Sequence, residues 1–157
     1  MGVDCMVDEC DVADEAIVQG TEESVTDRIG KIDIFVNNAA FLAGLIRQPF
    51  EEISVQEWDK VLDVNLKGVC LCCGAATPIM RRKNYGRIIN TAADTMMRGT
   101  PRFARYVSFK GGVVSPTRAI AKELGAYRIC LNAVAPGLTT TDAMRSVQWG
   151  TICLNHK

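Results

Sequence analysis

Histidine is nearly missing from this sequence. Of 157 residues only His156, next to the last, is one. A single imidazole at the chain's end leaves no base for a Ser-His-Asp or Cys-His mechanism. Zinc is excluded on similar grounds. The seven cysteines, at 5, 10, 70, 72, 73, 130 and 153, are odd in number, and their spacings never give two x2-spaced pairs or a Cys-His set. No metal site is expected, and the thiols read as small apolar side chains. Charge of one sign is also lacking. Eighteen basic and 18 acidic side chains cancel, so no basic face for a phosphate backbone, and no nucleic-acid partner, is expected. No stretch without a charged residue exceeds 13 positions, Gly68 to Met80 being one. A membrane span needs about 18, so none is expected. The first six residues are acidic where a secretory signal is basic and then apolar. Gly2 lacks the Ser or Thr at position 6 that myristoylation favours, and no Asn-x-Ser/Thr occurs. A cytoplasmic location follows as the expectation.

What is present is alternation. The chain is 48% apolar, enough for one core. Cys5 to Val12 reads as a short strand ending at Asp11. Asp14 caps a helix to Ile29, with Gly30 as its stop. Ile32 to Val36 is a nearly continuous apolar run, the pattern of a parallel strand covered on both faces. Ser54-Val55-Gln56-Glu57 has the capping-box form and opens a long helix that should end or kink near Pro78. Arg87 to Asn90 is the next strand. Ala104 to Leu124 is helical in pattern, although Gly111, Gly112 and Pro116 weaken its middle. Arg128 to Val134 is the last strand. Strand and helix in turn predict an α/β fold: a partial Rossmann-like, doubly wound parallel sheet of about four strands with flanking helices. Residues 146–157 have no clean period and read as an irregular tail after a domain of 1–145.

Three short motifs fall at strand ends, where ligands bind in open α/β sheets. Asn37-Asn38-Ala39-Ala40 follows the 32–36 run, and its small residues admit a flat ligand, although Asn suits a plain turn equally well. Tyr106 and Lys110 stand at i and i+4 on a helix, so phenol and ammonium share a face. A cation there favours the phenolate and gives an acid/base usable near neutrality; a solvated surface pair is the simpler alternative. Asn132-Ala133-Val134-Ala135-Pro136-Gly137 runs into a turn followed by Thr139, Thr140 and Thr141, whose hydroxyls suit a carboxamide or a phosphate, or serve no ligand at all.

Taken together, these motifs resemble the short-chain dehydrogenase/reductase family. The shared features are the Asn-Asn-Ala turn, Asn65 placed 28 positions after Asn37, Tyr-x-x-x-Lys 41 beyond that, and Asn-Ala-Val-Ala-Pro-Gly. Gly-Arg-Ile-Ile-Asn at 86–90, Asp11-Val12 and Ala121 to Gly125 add to the likeness, which covers roughly residues 3 to 144. The resemblance implies NAD or NADP as cofactor and hydride transfer between nicotinamide and a small-molecule carbonyl or secondary alcohol. It implies Tyr106 as the catalytic acid/base, and Lys110 as the cation that lowers the Tyr106 pKa and binds the nicotinamide ribose. Asn65 matches the holder of a relay water. Asp11 matches the residue at the adenine, Asn37 and Ala39 line the cofactor, and Pro136, Gly137, Thr139 and Thr141 match the turn at the carboxamide. Homo-oligomers through helices 55–80 and 104–124 are implied as well.

Three departures accompany the likeness. The family's serine, 13 residues before the tyrosine, is here Ala93. If the strand continued there, Thr91 and Thr95 would share its face but stand roughly 7 Å away. No Gly-x-x-x-Gly-x-Gly occurs among the 13 glycines, so the family's phosphate-binding turn is not in this sequence, which begins at what resembles the third strand. The family's lid and last strand have no counterpart after 146, so the sequence reads as a member truncated at both ends. Two readings stay open: an NAD(P)-dependent oxidoreductase by descent, and a non-catalytic fragment that associates with related subunits. In the family's strand order the 32–36 strand would lack a neighbour on one side; residues 5–11 are expected to slide into that slot, the alternative being an edge that stays open and associates.

Overall fold

A computed structural model describes residues 5–42, 45–139 and 142; Thr141 and the expected tail at 146–157 lie outside them. Helix α1 spans Glu15–Ile29. Its Asp14 side chain accepts from the amides of Ala16 and Ile17, and Gly30 closes it at a φ of 76°, a left-handed turn open to glycine at little cost. Strand β1 is Ile34–Asn37. Helix α2, Val55–Leu62, is capped by the Ser54 hydroxyl on the Glu57 amide, as the capping box predicts. It passes through a π-turn at Asp63–Lys67 into α3, Gly68–Lys83. Strand β2 is Gly86–Thr91, α4 is Thr95–Arg98, α5 is Ala104–Leu124 and β3 is Ile129–Val134.

The prolines do not end their helices. Pro78 lies inside α3 and Pro116 inside α5. A mid-helix proline costs about 3 kcal/mol. Each helix offsets that with a buried stripe: Cys72, Cys73, Ala76, Ile79 and Met80 on α3, and Phe109, Val113 and Leu124 on α5. Gly112 also has a packing reason, since a Cβ there would come within 3.1 Å of the Leu66 side chain in the π-turn.

The sheet is parallel, in the order β1-β2-β3, and has three strands among the described residues rather than the expected four. Residues 5–11 form no strand and do not pair with β1, whose only partner among the described residues is β2. The expected slide is therefore not what the chain does. Val7 is 89% exposed. Asp11 instead makes a turn into α1, its carboxylate accepting from the Ala13 amide and its carbonyl from that of Asp14. Acidic residues at three of the four positions from 8 to 11 give this stretch little to bury.

One face of the sheet carries the core. Ile88, Ile129 and Leu131 pack with Val69, Cys73 and Met80 of α3 and with Val113 and Leu124 of α5. The opposite face is bare: Ile34 and Val36 on β1 and Cys130, Asn132 and Val134 on β3 are exposed. The apolar run at 32–36 thus lacks the second covered face its composition predicts. Helix α1 packs on α3 and overhangs the free edge of β1, leaving a cavity of about 590 Å³ beneath it.

Candidate active site

Parallel strands in register bring their carboxyl ends to one edge. Asn37 stands beside Asn90, and Asn90 beside Ala133. The loops that leave there hold the sequence motifs: Asn38 and Ala39 after β1, Thr91 to Asp94 after β2, and Ala135 to Thr139 after β3. They are tied together. The Ala92 amide donates to the Val134 carbonyl, the Asp94 amide to that of Pro136, and the Thr91 hydroxyl to Asn38 Oδ1.

Beneath the loops runs a buried polar chain. Asn37 Nδ2 donates to Asn90 Oδ1 at 2.8 Å, Asn90 Nδ2 to the Thr117 hydroxyl at 2.9 Å, and that hydroxyl to the Val113 carbonyl at 2.6 Å. Asn37 is thus buried and occupied, whereas Ala39, Pro136, Gly137 and Thr139 are exposed along the rim. Asn90 and Thr117 were not singled out from sequence; the signal for Asn90 was a polar residue at the end of an apolar strand, and Thr117, inside α5, left none.

Asn65 sits in the π-turn, a helical irregularity that recurs at functional sites. Its Oδ1 accepts from the Phe41 amide, and its Nδ2 donates to the carbonyls of Phe41 and Val61. The side chain therefore pins the loop that follows Asn37-Asn38. Asp11 lies exposed at the start of α1, its carboxylate engaged with its own turn.

Tyr106 is held between two phenylalanines, stacked on Phe103 at 4.6 Å and edge-on to Phe109 at 5.0 Å. Burial, and then the Asp94 carboxylate, push its phenol above the usual range, the reverse of the lowering expected from Lys110. Lys110 is buried and donates to the Thr91 carbonyl at 2.6 Å. Burial lowers its ammonium from 10.5 to about 8. Ala93 is buried and offers no donor. The expected strand continuation through Thr95 does not occur, because Thr95 opens α4. Its hydroxyl is buried without a partner, while that of Thr91 is committed to Asn38.

Arg105, next to Tyr106, was missed and left no sequence signal. It is fully buried, pairs with Glu57 at 2.9 Å, and donates to the Ile46 carbonyl. It thereby fastens the 45–49 loop and α2 to the start of α5.

A family model described as Enoyl-(Acyl carrier protein) reductase matches residues 1–153. The chain belongs to the short-chain dehydrogenase/reductase family. It is 40% identical over 141 residues to 3-oxoacyl-(acyl-carrier-protein) reductase FabG of Staphylococcus aureus, covering 90% of this chain and 56% of that one. Levodione reductase of Leifsonia aquatica is 40% identical over 136 residues, covering 87% and 50%. The crystal structure of 3-ketoacyl-(acyl-carrier-protein) reductase from Brucella melitensis complexed with NADH matches with a TM-score of 0.83 and 32% identity, over 88% of this chain and 58% of that one. The chain thus spans about half the length of the curated relatives it matches. Among the described residues no helix is long and apolar enough to cross a membrane, and no cluster of ligands for a metal occurs.

Proposed function

We propose that this chain carries the nicotinamide-and-substrate half of an NAD(P)-dependent oxidoreductase site, the unit being residues 1–145. The supporting observation is convergence. The Asn37–Ala39 turn, the Lys110 ammonium and the Pro136–Gly137 turn meet at one edge of a parallel sheet, and Asp94, which acts on the Tyr106 phenol, is tied by its amide to Pro136. The residues present fit the nicotinamide end of the cofactor: an exposed rim of small residues and a lysine whose hydrogen bond to Thr91 a ribose hydroxyl can replace. They do not fit the pyrophosphate, because no helix among those described opens on a glycine-rich turn at the sheet.

When bound, the cofactor supplies or accepts hydride at the carbon of a carbonyl or secondary alcohol. Tyr106 gives or takes the proton on that oxygen. Lys110, charged below about pH 8, favours the phenolate once a ligand excludes water. Asn65 holds the 39–42 loop and a relay water, and Thr139 serves the carboxamide, a role that for Thr141 rests on the family resemblance alone. Asp11 faces the adenine. Six free thiols among the described residues support a reducing, cytoplasmic setting, and α2–α3 with α5 supply the faces for a homo-oligomer.

A second reading, a non-catalytic subunit, draws support from Ala93 and from the raised Tyr106 phenol. Calorimetric titration with NADH and NADPH tests both. The chain alone is expected to show no dissociation constant below about 10 µM, worth roughly 7 kcal/mol. Tighter binding would overturn the half-site reading.

A further inference from the structure

Two of the free thiols share a wall of the cavity beneath α1. Cys10, half-buried, lies in the stretch ahead of α1, and Cys72, buried, lies on α3. Gly68 brings the two segments together. A Cβ at Gly68 would stand 2.9 Å from Val12 Cγ2 and 3.0 Å from the Val12 carbonyl oxygen, so the chain ahead of α1 lies directly on the α3 backbone. From Gly68, Cys72 is one helical turn on, an advance of about 6 Å along the same face. From Val12, Cys10 is two residues back, at most about 7 Å along the chain. Both cysteines line one cavity, so the two advances run the same way, and the closeness of Val12 to Gly68 carries over to Cys10 and Cys72. Backbones that close are within reach of a disulfide, whose Cα atoms stand about 4.4–6.8 Å apart. The thiols also act on each other: burial pushes Cys72 from 9.0 up to about 11, and a thiolate at Cys10 adds to the rise.

The neighbouring cysteines are placed otherwise. Cys73 Sγ accepts from Asn37 Nδ2 at 3.3 Å and donates to Asn90 Oδ1 at 3.7 Å. Cys70, two positions from Gly68, is exposed on the other side of α3. Cys5 and Cys130 are exposed, and neither lines the cavity.

We infer that Cys10 and Cys72 are a redox-modification site, a thiol pair that a peroxide converts to an intrachain disulfide. Cys10, the more exposed of the two, reacts first. Its thiolate sulfur attacks one oxygen of hydrogen peroxide, the O–O bond breaks, and water leaves behind a sulfenic acid. The Cys72 sulfur then attacks that of Cys10, the S–O bond breaks, and a second water leaves with the Cys72 proton. Two thiols and one peroxide thus give one disulfide and two waters. The bond fastens the Asp11 turn and the start of α1 to α3, whether or not the chain turns over a substrate. Intracellular disulfides of this kind are transient and redox-sensing.

The test uses the 157-residue chain, fully reduced, treated with hydrogen peroxide, alkylated, and digested with trypsin in the absence of reductant. Mass spectrometry should find residues 1–28 joined to residues 68–81, two hydrogens lighter than their sum, in monomeric protein, and the joined pair should vanish on reduction. Cys10→Ser should abolish it and leave Cys72 open to alkylation after unfolding, with the circular dichroism of the parent chain. Cys5→Ser and Cys70→Ser should form it as the parent does. Oxidation should also slow exchange at the Ala16 and Ile17 amides by about tenfold, and dithiothreitol should restore it. Absence of the joined peptides would overturn the inference. So would a bridge that survives Cys10→Ser or is lost in Cys5→Ser or Cys70→Ser, a bridge found only between chains, or oxidation that stops at a sulfinic acid on Cys10.

Discussion

Tyr106 and Lys110 share a helix face, yet in this chain burial governs both. The fold favours the neutral form of Lys110, lowered from 10.5 to about 8. Between those values the unfolded chain binds more protons, so stability rises with pH; below about 8 both states are protonated and the penalty is constant. Cys72 and Cys73, raised by burial from 9.0 to about 11, act in the opposite sense. Their contribution is present below 9 and is lost as pH climbs toward 11. The melting temperature at fixed ionic strength should therefore rise from about pH 8 to 9 and fall beyond it. Lys110→Met should abolish the rise; if the rise persists in that variant, another group is responsible. At Ala93 the expectation concerns rate. In a chain completed with the preceding segment of a relative, Ala93→Ser should raise ketone turnover by about 10². An unchanged rate would mean that the unpartnered Thr95 hydroxyl or a water already supplies the donor.

Elements were more legible than what joins them. The Asp14 cap, the Gly30 stop, the Ser54 capping box and three of the four strands follow from local chemistry, and the structure has them where the sequence indicates. Residues 5–11 misled because a strand needs a neighbour, and no local pattern says whether one exists. Pro78 and Pro116 misled because propensity knows nothing of the core each helix covers. The Glu57–Arg105 pair was invisible because its 48-residue separation carries no periodicity. It gives the clearest test at this scale. Glu57→Ala leaves a fully buried guanidinium, with its Nε and Nη1 already unpartnered, without its counter-charge. The loss should be about 3 kcal/mol in urea unfolding, whereas Glu51→Ala, on the exposed turn before α2, should stay within about 0.5 kcal/mol. Equal effects would show that the pair does not fasten α2 to α5.

At the scale of the molecule, a three-stranded parallel sheet with helices on one side leaves an apolar face and an open edge in water. Such a surface promotes association. Ile34→Lys, which puts a charge on both edge and face, should lower the sedimentation coefficient of the chain at high concentration and leave its helical circular dichroism unchanged; an unaltered distribution would move the sticky surface elsewhere. The Asn37–Ala39 and Pro136–Gly137 motifs could be read because each is short and follows a strand, and Tyr106 and Lys110 because they stand one helical turn apart; the polar chain below them could not, because Asn37, Asn90 and Thr117 come from three distant elements. That chain has one more effect. Ile34, Phe35 and Val36 are apolar on both sides of β1, so hydrophobic alternation gives this strand no means of telling one alignment from its neighbour. A slip by a single residue would turn Asn37 toward the bare face and strand Asn90 in the core without its donor. The amide pair therefore works as a key that admits one alignment of β1 on β2, and that alignment sets the height at which Asn38 and Ala39 meet the loops of the other two strands.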